Sequence, residues 1–204
     1  MLCVDEKTGI QALDRTQPLL PLGAKKPRSW TNEYVRHGTQ SLLAALEIAT
    51  GKVLAHVKQR RTSVNFLRFM DDVVAAFPNR DLHVILDNLN IHKNEAAQRW
   101  LQRHPRVRFH HTPTHASWVN LIECFFTILS KQGLSQSVHT SKRQLKDFLL
   151  QFIATYDERC SPFRWTKGPE KLQRIIKATK DYQAAHPPKP RRRRRAGKRN
   201  NKRN

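Results

Sequence analysis

The stretch His83-Val-Ile-Leu-Asp-Asn-Leu-Asn-Ile-His-Lys93 decides how the chain is read. His83 to Leu86 are apolar or β-favouring, and they run into Asp87 and then into Asn88, Asn90, His92 and Lys93. That order predicts a strand ending in a polar loop, with a carboxylate at its C-terminal tip. Ligands and catalytic groups collect at that edge of open α/β sheets, because rigid strands hold converging loops there. Taken alone, the stretch fits a strand and an Asx-rich turn equally well, with Asp87 accepting backbone N–H groups. The choice rests on whether other carboxylates reach the same place.

Working outward, Asn94 caps a predicted helix over Glu95 to Arg103 that His104-Pro105 ends, and Val107 to His111 supplies the next strand. The loop from Thr112 to Ala116 delivers the chain to Ser117, where a helix begins with Trp118, Leu121, Ile122, Phe125, Phe126 and Leu129 at i, i+3, i+4 spacing. Glu123 lies off that buried stripe, on its flank, so an early turn of a core helix carries a carboxylate. An ordinary first-turn Glu favoured by the helix dipole is the competing reading. Ser141 caps a further amphipathic helix to Tyr156, and a short helix spans Glu170 to Thr179. Upstream, Ser63 caps a helix to Phe77 in which Asp71 and Asp72 read as surface charges, since neighbouring helical residues do not share a face. Gln40 to Ala49 and Val53 to Val57 read as two strands joined at Thr50-Gly51-Lys52. Leu2 to Val4 form a short strand followed by Asp5 and Glu6, with a turn at Lys7-Thr8-Gly9. Between Gln17 and His37 the chain is rich in Pro, Gly and basic residues, Arg36 among them, which predicts either a solvated loop or one that contacts a polyanion.

The 204 residues suit one main core with extensions. Lys and Arg number 38 against 16 acids, a net charge of +22 that points to a polyanionic partner. Nine of those cations, Arg191, Arg192, Arg193, Arg194 and Arg195 included, lie in residues 191–204 without an acid, so the remainder still carries +13. We expect a domain over 1–180 and a disordered basic tail over 181–204. Cys3, Cys124 and Cys160 are far apart and match no disulfide framework or metal-finger spacing. His110 and His111 would face opposite sides of a strand, which argues against a zinc site with His115. There is no signal-like start and no apolar run of membrane-spanning length. A core strand that begins beside Met1 suggests an upstream segment that is missing or encoded separately.

Strand, hairpin, helix, strand, helix, strand, helix is an α/β order that resembles the ribonuclease H-like fold, a mixed central sheet flanked by helices. That fold sets the first and fourth strands side by side, which would place Asp5 beside Asp87, and its later helix would bring Glu123 across the same edge. The stretches Val4-Asp5-Glu6-Lys7-Thr8-Gly9, Asp87-Asn88-Leu89-Asn90-Ile91-His92-Lys93 and Ser117-Trp-Val-Asn-Leu-Ile-Glu123 look like signatures of one family. They resemble the DDE transposases of bacterial insertion sequences, in the mariner-related superfamily; Tyr34-Val-Arg-His-Gly-Thr39 and Phe163-Arg-Trp-Thr166 look similar too. The resemblance implies metal-dependent DNA cleavage and strand transfer at insertion-sequence ends. Asp5, Asp87 and Glu123 would be the catalytic metal ligands, holding two Mg²⁺ ions, with Mn²⁺ possible in their place. Hard oxygen ligands suit Mg²⁺, and paired ions sit about 3.5 to 4 Å apart in such sites. Asn88, Asn90, His92 and Lys93 would orient Asp87 or contact DNA phosphates, with a plain polar turn as the alternative. His115, Asn120 and Arg36 are weaker candidates for supporting the acids or touching DNA. The family's partners would be transposon-end and target DNA, a second protomer in a homodimer and, since no helix-turn-helix region precedes Asp5, a separate helix-turn-helix polypeptide. The setting would be a bacterial cytoplasm, at the nucleoid, with no membrane. A catalytically idle DNA-binding remnant and a stand-alone nuclease of the same fold are the rival readings.

Overall fold

Gln40 to Leu46 are buried without a break, the pattern of a strand covered on both faces. That strand belongs to a computed structural model whose described residues are 1–15, 33–89, 92–112, 120–163 and 169–185. The elements are β1 (Leu2–Arg15), β2 (Tyr34–Glu47), β3 (Val53–Lys58), α1 (Ser63–Ala76), β4 (Leu82–Leu86), α2 (Glu95–Arg103), β5 (Val107–His111), α3 (Ile122–Ile128), α4 (Lys142–Arg159) and α5 (Pro169–Ala185). Five strands form one sheet in the order β3-β2-β1-β4-β5. The β1–β2 and β2–β3 pairs are antiparallel, and β1–β4 and β4–β5 are parallel. The sheet is therefore mixed, as the sequence predicts, with the first and fourth strands adjacent.

Alternation along the strands builds two cores. Cys3, Leu42, Ala44 and Leu46 face Ile122, Phe125 and Phe126 of α3 and Leu145, Leu149 and Ile153 of α4. Leu2, Val4, Leu43 and Ala45 face Phe66, Phe69, Met70 and Val73 of α1 and Trp100 of α2. Two helices thus cover each face within the unit Met1–Phe163; α5 lies in a second unit, Arg164–Asn204. Asp71 and Asp72, read as surface charges, also link elements: Asp71 accepts from the Trp100 indole N–H at 2.6 Å, and Asp72 pairs with His56 at 3.0 Å.

Several boundaries differ from the sequence reading, each for a local reason. No turn forms at Lys7-Thr8-Gly9; β1 continues to Arg15 because Gly9, at φ 68°, takes up a register shift between Lys7 and Ile10. The bulge re-phases the strand, so odd-numbered Cys3 and even-numbered Ile10 and Ala12 all reach the α3/α4 side. A second shift sits opposite Gly38, at φ 103°, and β2 starts at Tyr34 inside the expected loop. The cap of α1 is Thr62, whose hydroxyl accepts from the Asn65 N–H at 3.1 Å, and not Ser63. α3 begins at Ile122, with residues 117–119 outside those described. α4 runs three residues past Tyr156, to Arg159, and α5 continues to Ala185, beyond position 180. The basic tail, Arg191 to Arg195 included, lies outside the described residues.

Candidate active site

The parallel ladder between β1 and β4 pairs Leu2 with Val84 and Cys3 with Ile85. Carried two residues further, that register sets Asp5 level with Asp87, which lies just past the end of β4. The third acid, Glu123, stands exposed in the first turn of α3. A buried asparagine fixes that turn. Asn120 is 1 % exposed, donates from Nδ2 to the Val4 carbonyl at 3.0 Å, and accepts the Glu123 N–H on its own carbonyl at 3.1 Å. Asn120 therefore ties the start of α3 to the residue before Asp5.

The electrostatics show that the acids share a field. Burial, and then the charges of Asp87 and Glu123, push Asp5 up to about 6, against the pull of the Glu6 amide and the Arg61 guanidinium. The Glu6 N–H donates to Asp5 Oδ1 at 2.7 Å. Glu6 is a fourth carboxylate that the sequence reading passed over. Its side chain is only 9 % exposed, its Oε2 lies 3.6 Å from Arg61 Nε, and burial with the charges of Asp5 and Asp87 pushes it up to about 7. Its neighbour in sequence hid it, because adjacent strand residues point to opposite faces; the signal was its place beside Asp5.

Asp87 sits just past the end of β4 and is flanked by histidines. His92 is 3 % exposed, packs against Phe66 with ring centroids 4.4 Å apart, and brings Nδ1 to 2.8 Å from Asp87 Oδ1. Burial lowers the His92 pKa, and hydrogen bonding and charge from Asp87 pull the other way. The same Nδ1 lies 3.3 Å from the Asp87 carbonyl, so one ring nitrogen faces two oxygens of Asp87. Asn94 caps α2 through the Ala97 N–H at 2.9 Å and donates to Ser63 at 2.9 Å, fastening the loop after Asp87 to the start of α1.

The remaining candidates divide. Asn88 and Lys93 are exposed beside the site, and Asn90 and His115 lie outside the described residues. Arg36 is not brought near the acids. It is exposed on β2, bonded to the Tyr34 hydroxyl at 3.2 Å and paired with Leu13, roughly 25 Å from Asp5 at about 3.3 Å per strand residue. Among the described residues, no three His, Cys, Asp or Glu side chains already close on one point at metal-ligand spacing. The donor set nevertheless fits a hard divalent cation: three carboxylates in one field, one resisting ionisation and one oriented by a buried histidine.

Residues 1–146 match the family model of the DDE superfamily endonucleases. The uncharacterized 39 kDa protein of insertion element IS630 from Shigella sonnei is 29 % identical over 125 residues, covering 60 % of this chain and 35 % of that protein. Among solved structures, the Mos1 strand transfer complex aligns with a TM-score of 0.55 at 14 % identity, over 90 % of this chain and 52 % of that one. The Mos1 mariner paired end complex with Mn aligns with a TM-score of 0.56 at 14 % identity, over 77 % and 49 %. The chain thus spans about a third of the insertion-element protein and about half of the Mos1 chains. Those alignments show the same fold, and with the family match over most of its length the chain belongs to the DDE superfamily of endonucleases.

Proposed function

We propose that this chain is the catalytic domain of an insertion-sequence transposase, cutting DNA at the element's ends and joining them to a target. The observation that carries the reading is the shared field of three acids at one sheet edge, with Asp5 held up to about 6 by burial and the charges of the other two. Asp5, Asp87 and Glu123 are the metal ligands in this reading. Two Mg²⁺ ions, or Mn²⁺, bound there would activate the attacking oxygen and neutralise charge on the leaving one. In the first step a water oxygen bonds to phosphorus, the P–O bond to the 3′ oxygen breaks, and a 3′-hydroxyl is released. In the second that hydroxyl attacks a target phosphodiester, a new P–O bond forms and another 3′-hydroxyl leaves. No covalent bond to the protein is needed. Asn120 holds the Glu123 turn against β1, His92 braces Asp87, and Asn88 and Lys93 line the approach to the scissile strand.

The rest of the reading follows from charge and kinship. Transposon-end and target DNA are the partners, and Arg36 and the basic tail beyond α5 add sequence-independent phosphate contacts with a steep salt dependence. A homodimer synapses two ends, and a helix-turn-helix polypeptide recognises them. No helix among the described residues is long and apolar enough to cross a membrane; a bacterial cytoplasmic setting at the nucleoid is part of the same proposal. Purified protein with Mg²⁺ or Mn²⁺ should nick DNA carrying insertion-sequence ends, and Asp87→Asn should abolish nicking. Binding without metal-dependent nicking would overturn the reading in favour of an idle DNA-binding remnant, and nicking without joining would make the chain a nuclease.

A further inference from the structure

Asp87 lies beyond both ladders that order β4. Pairing with β1 stops at Cys3 and Ile85, and pairing with β5 stops at Leu86 and His111, after which the Thr112 N–H closes on the Leu86 carbonyl at 2.9 Å. Among the described residues, no strand N–H donates to the Asp87 carbonyl. Two imidazoles take that place: His92 Nδ1 lies 3.3 Å from it and His111 Nδ1 3.2 Å. A carbonyl oxygen only accepts, so in both rings Nδ1 carries the proton in these contacts. Both rings are braced by aromatics, His92 by Phe66 and His111 edge-on to Phe109 at 6.4 Å between centroids. The two histidines come from unrelated segments, one in the loop five residues on and one at the tip of the edge strand, 24 residues on.

From this convergence we propose that His111 is a positioning residue for the divalent metal, acting with His92 as a clamp on the Asp87 carbonyl. The clamp fixes the peptide that follows Asp87 and so the direction of its carboxylate. His92 Nδ1 also lies 2.8 Å from Asp87 Oδ1, and ligating carboxylates are themselves oriented by such contacts, which leaves the carbonyl for His111 to fix. A turn needs only one donor to that oxygen, and a second from across the sheet adds orientation. The inference rests on Asp87 being a metal ligand.

Side-chain amides separate the two imidazole positions, since the Asn Nδ2 falls near the place of His Nδ1 and the Gln Nε2 near that of Nε2. The experiment uses the full chain with His111→Asn, His111→Gln, His111→Ala and Asp87→Asn. It measures Mn²⁺ affinity by direct titration, the metal-free thermal midpoint, and DNA nicking against Mn²⁺ concentration. His111→Ala and His111→Gln should weaken Mn²⁺ binding about 10- to 100-fold, the range for residues that orient metal ligands. They should shift half-maximal nicking by the same factor, while His111→Asn stays within a few-fold of the parent. Equal impairment of the Asn and Gln variants would overturn the clamp, as would unchanged Mn²⁺ affinity in His111→Ala or losses that merely track the thermal midpoints. Mn²⁺ affinity unaltered by Asp87→Asn would overturn the ligand role of Asp87 itself, and the clamp with it.

Discussion

Asp5 and Asp87 arrive level at one sheet edge, but their backbones are held in different ways. Asp5 is inside β1, paired with Ala44 of β2, with Ala44 in one buried core and the residue before it, Val4, in the other. Asp87 is past the end of β4 and is held by side chains, His92 and His111, each from its own segment. The strand-borne acid pays in charge, since burial resists its ionisation. The loop-borne acid depends on orientation, since nothing regular fixes its backbone. The proposed site thus combines an acid that is rigid but electrostatically unfavourable with one that lies past its strand and is contacted by two histidines.

The largest effect should not distinguish the two. Asp5→Asn and Asp87→Asn should each cut metal-dependent nicking by about 10³-fold or more, read on end-labelled DNA, because losing a metal ligand removes about 4 kcal/mol of transition-state stabilisation. Metal-free stability should then separate them. The Asp5 carboxyl binds its proton more tightly folded than unfolded, so its contribution is present below about pH 4 and lost as pH rises through about 6. Its displacement from 3.8 to about 6 corresponds to about 3 kcal/mol at 1.36 kcal/mol per unit. Urea unfolding of metal-free protein should show stability falling across that window, with Glu6 carrying the fall on toward about 7. Asp5→Asn should flatten the profile and raise stability near pH 8, and millimolar Mg²⁺ should do the same for the parent protein.

A smaller change tests the link between the strand-borne acid and the third one. Asn120→Ala leaves the Val4 carbonyl without its donor and should cost about 1–3 kcal/mol in unfolding free energy. It should also slow nicking by loosening the turn that carries Glu123. The smallest effect belongs to the far end of the strand pair that holds Asp5. Arg36→Ala should lower the slope of log K against log salt by about one, read by DNA-binding anisotropy, and leave the nicking rate on saturated DNA unchanged.

Much of this arrangement was legible in the sequence where local chemistry is decisive. Asn94 and Ser141 cap the helices they were expected to cap, through the N–H groups of Ala97 and Gln144. Val107–His111 and Glu95–Arg103 begin and end where their flanking residues predict. The mixed sheet, with its first and fourth strands adjacent, is what the resemblance to the ribonuclease H-like fold implies. Three misses share one cause, dependence on residues distant in the sequence. Lys7-Thr8-Gly9 reads as a turn, yet β2 lies alongside and absorbs Gly9 as a bulge. His111 looked like one member of an unremarkable histidine run until the β4–β5 register set it beside the Asp87 carbonyl. Glu6 read as a strand flank, and Arg61, 55 residues later, is what marks it as part of the acid edge.

The tight turn between β2 and β3 bears on how the molecule is made. Gly51, at φ 81°, is pressed so closely on the chain after α4 that a Cβ there would lie 2.3 Å from the Ser161 carbonyl oxygen. Beside it, the Cys160 thiol donates to the Thr50 carbonyl at 3.5 Å, and Asp157 Oδ1 accepts the Val53 N–H at 2.9 Å. These fastenings join residues more than a hundred positions apart, so a ribosome delivers them late. All three acids have been synthesised by residue 123, and the corner that secures their sheet is not complete until residue 161. A chain interrupted between those points carries all three proposed ligands on an unfastened scaffold.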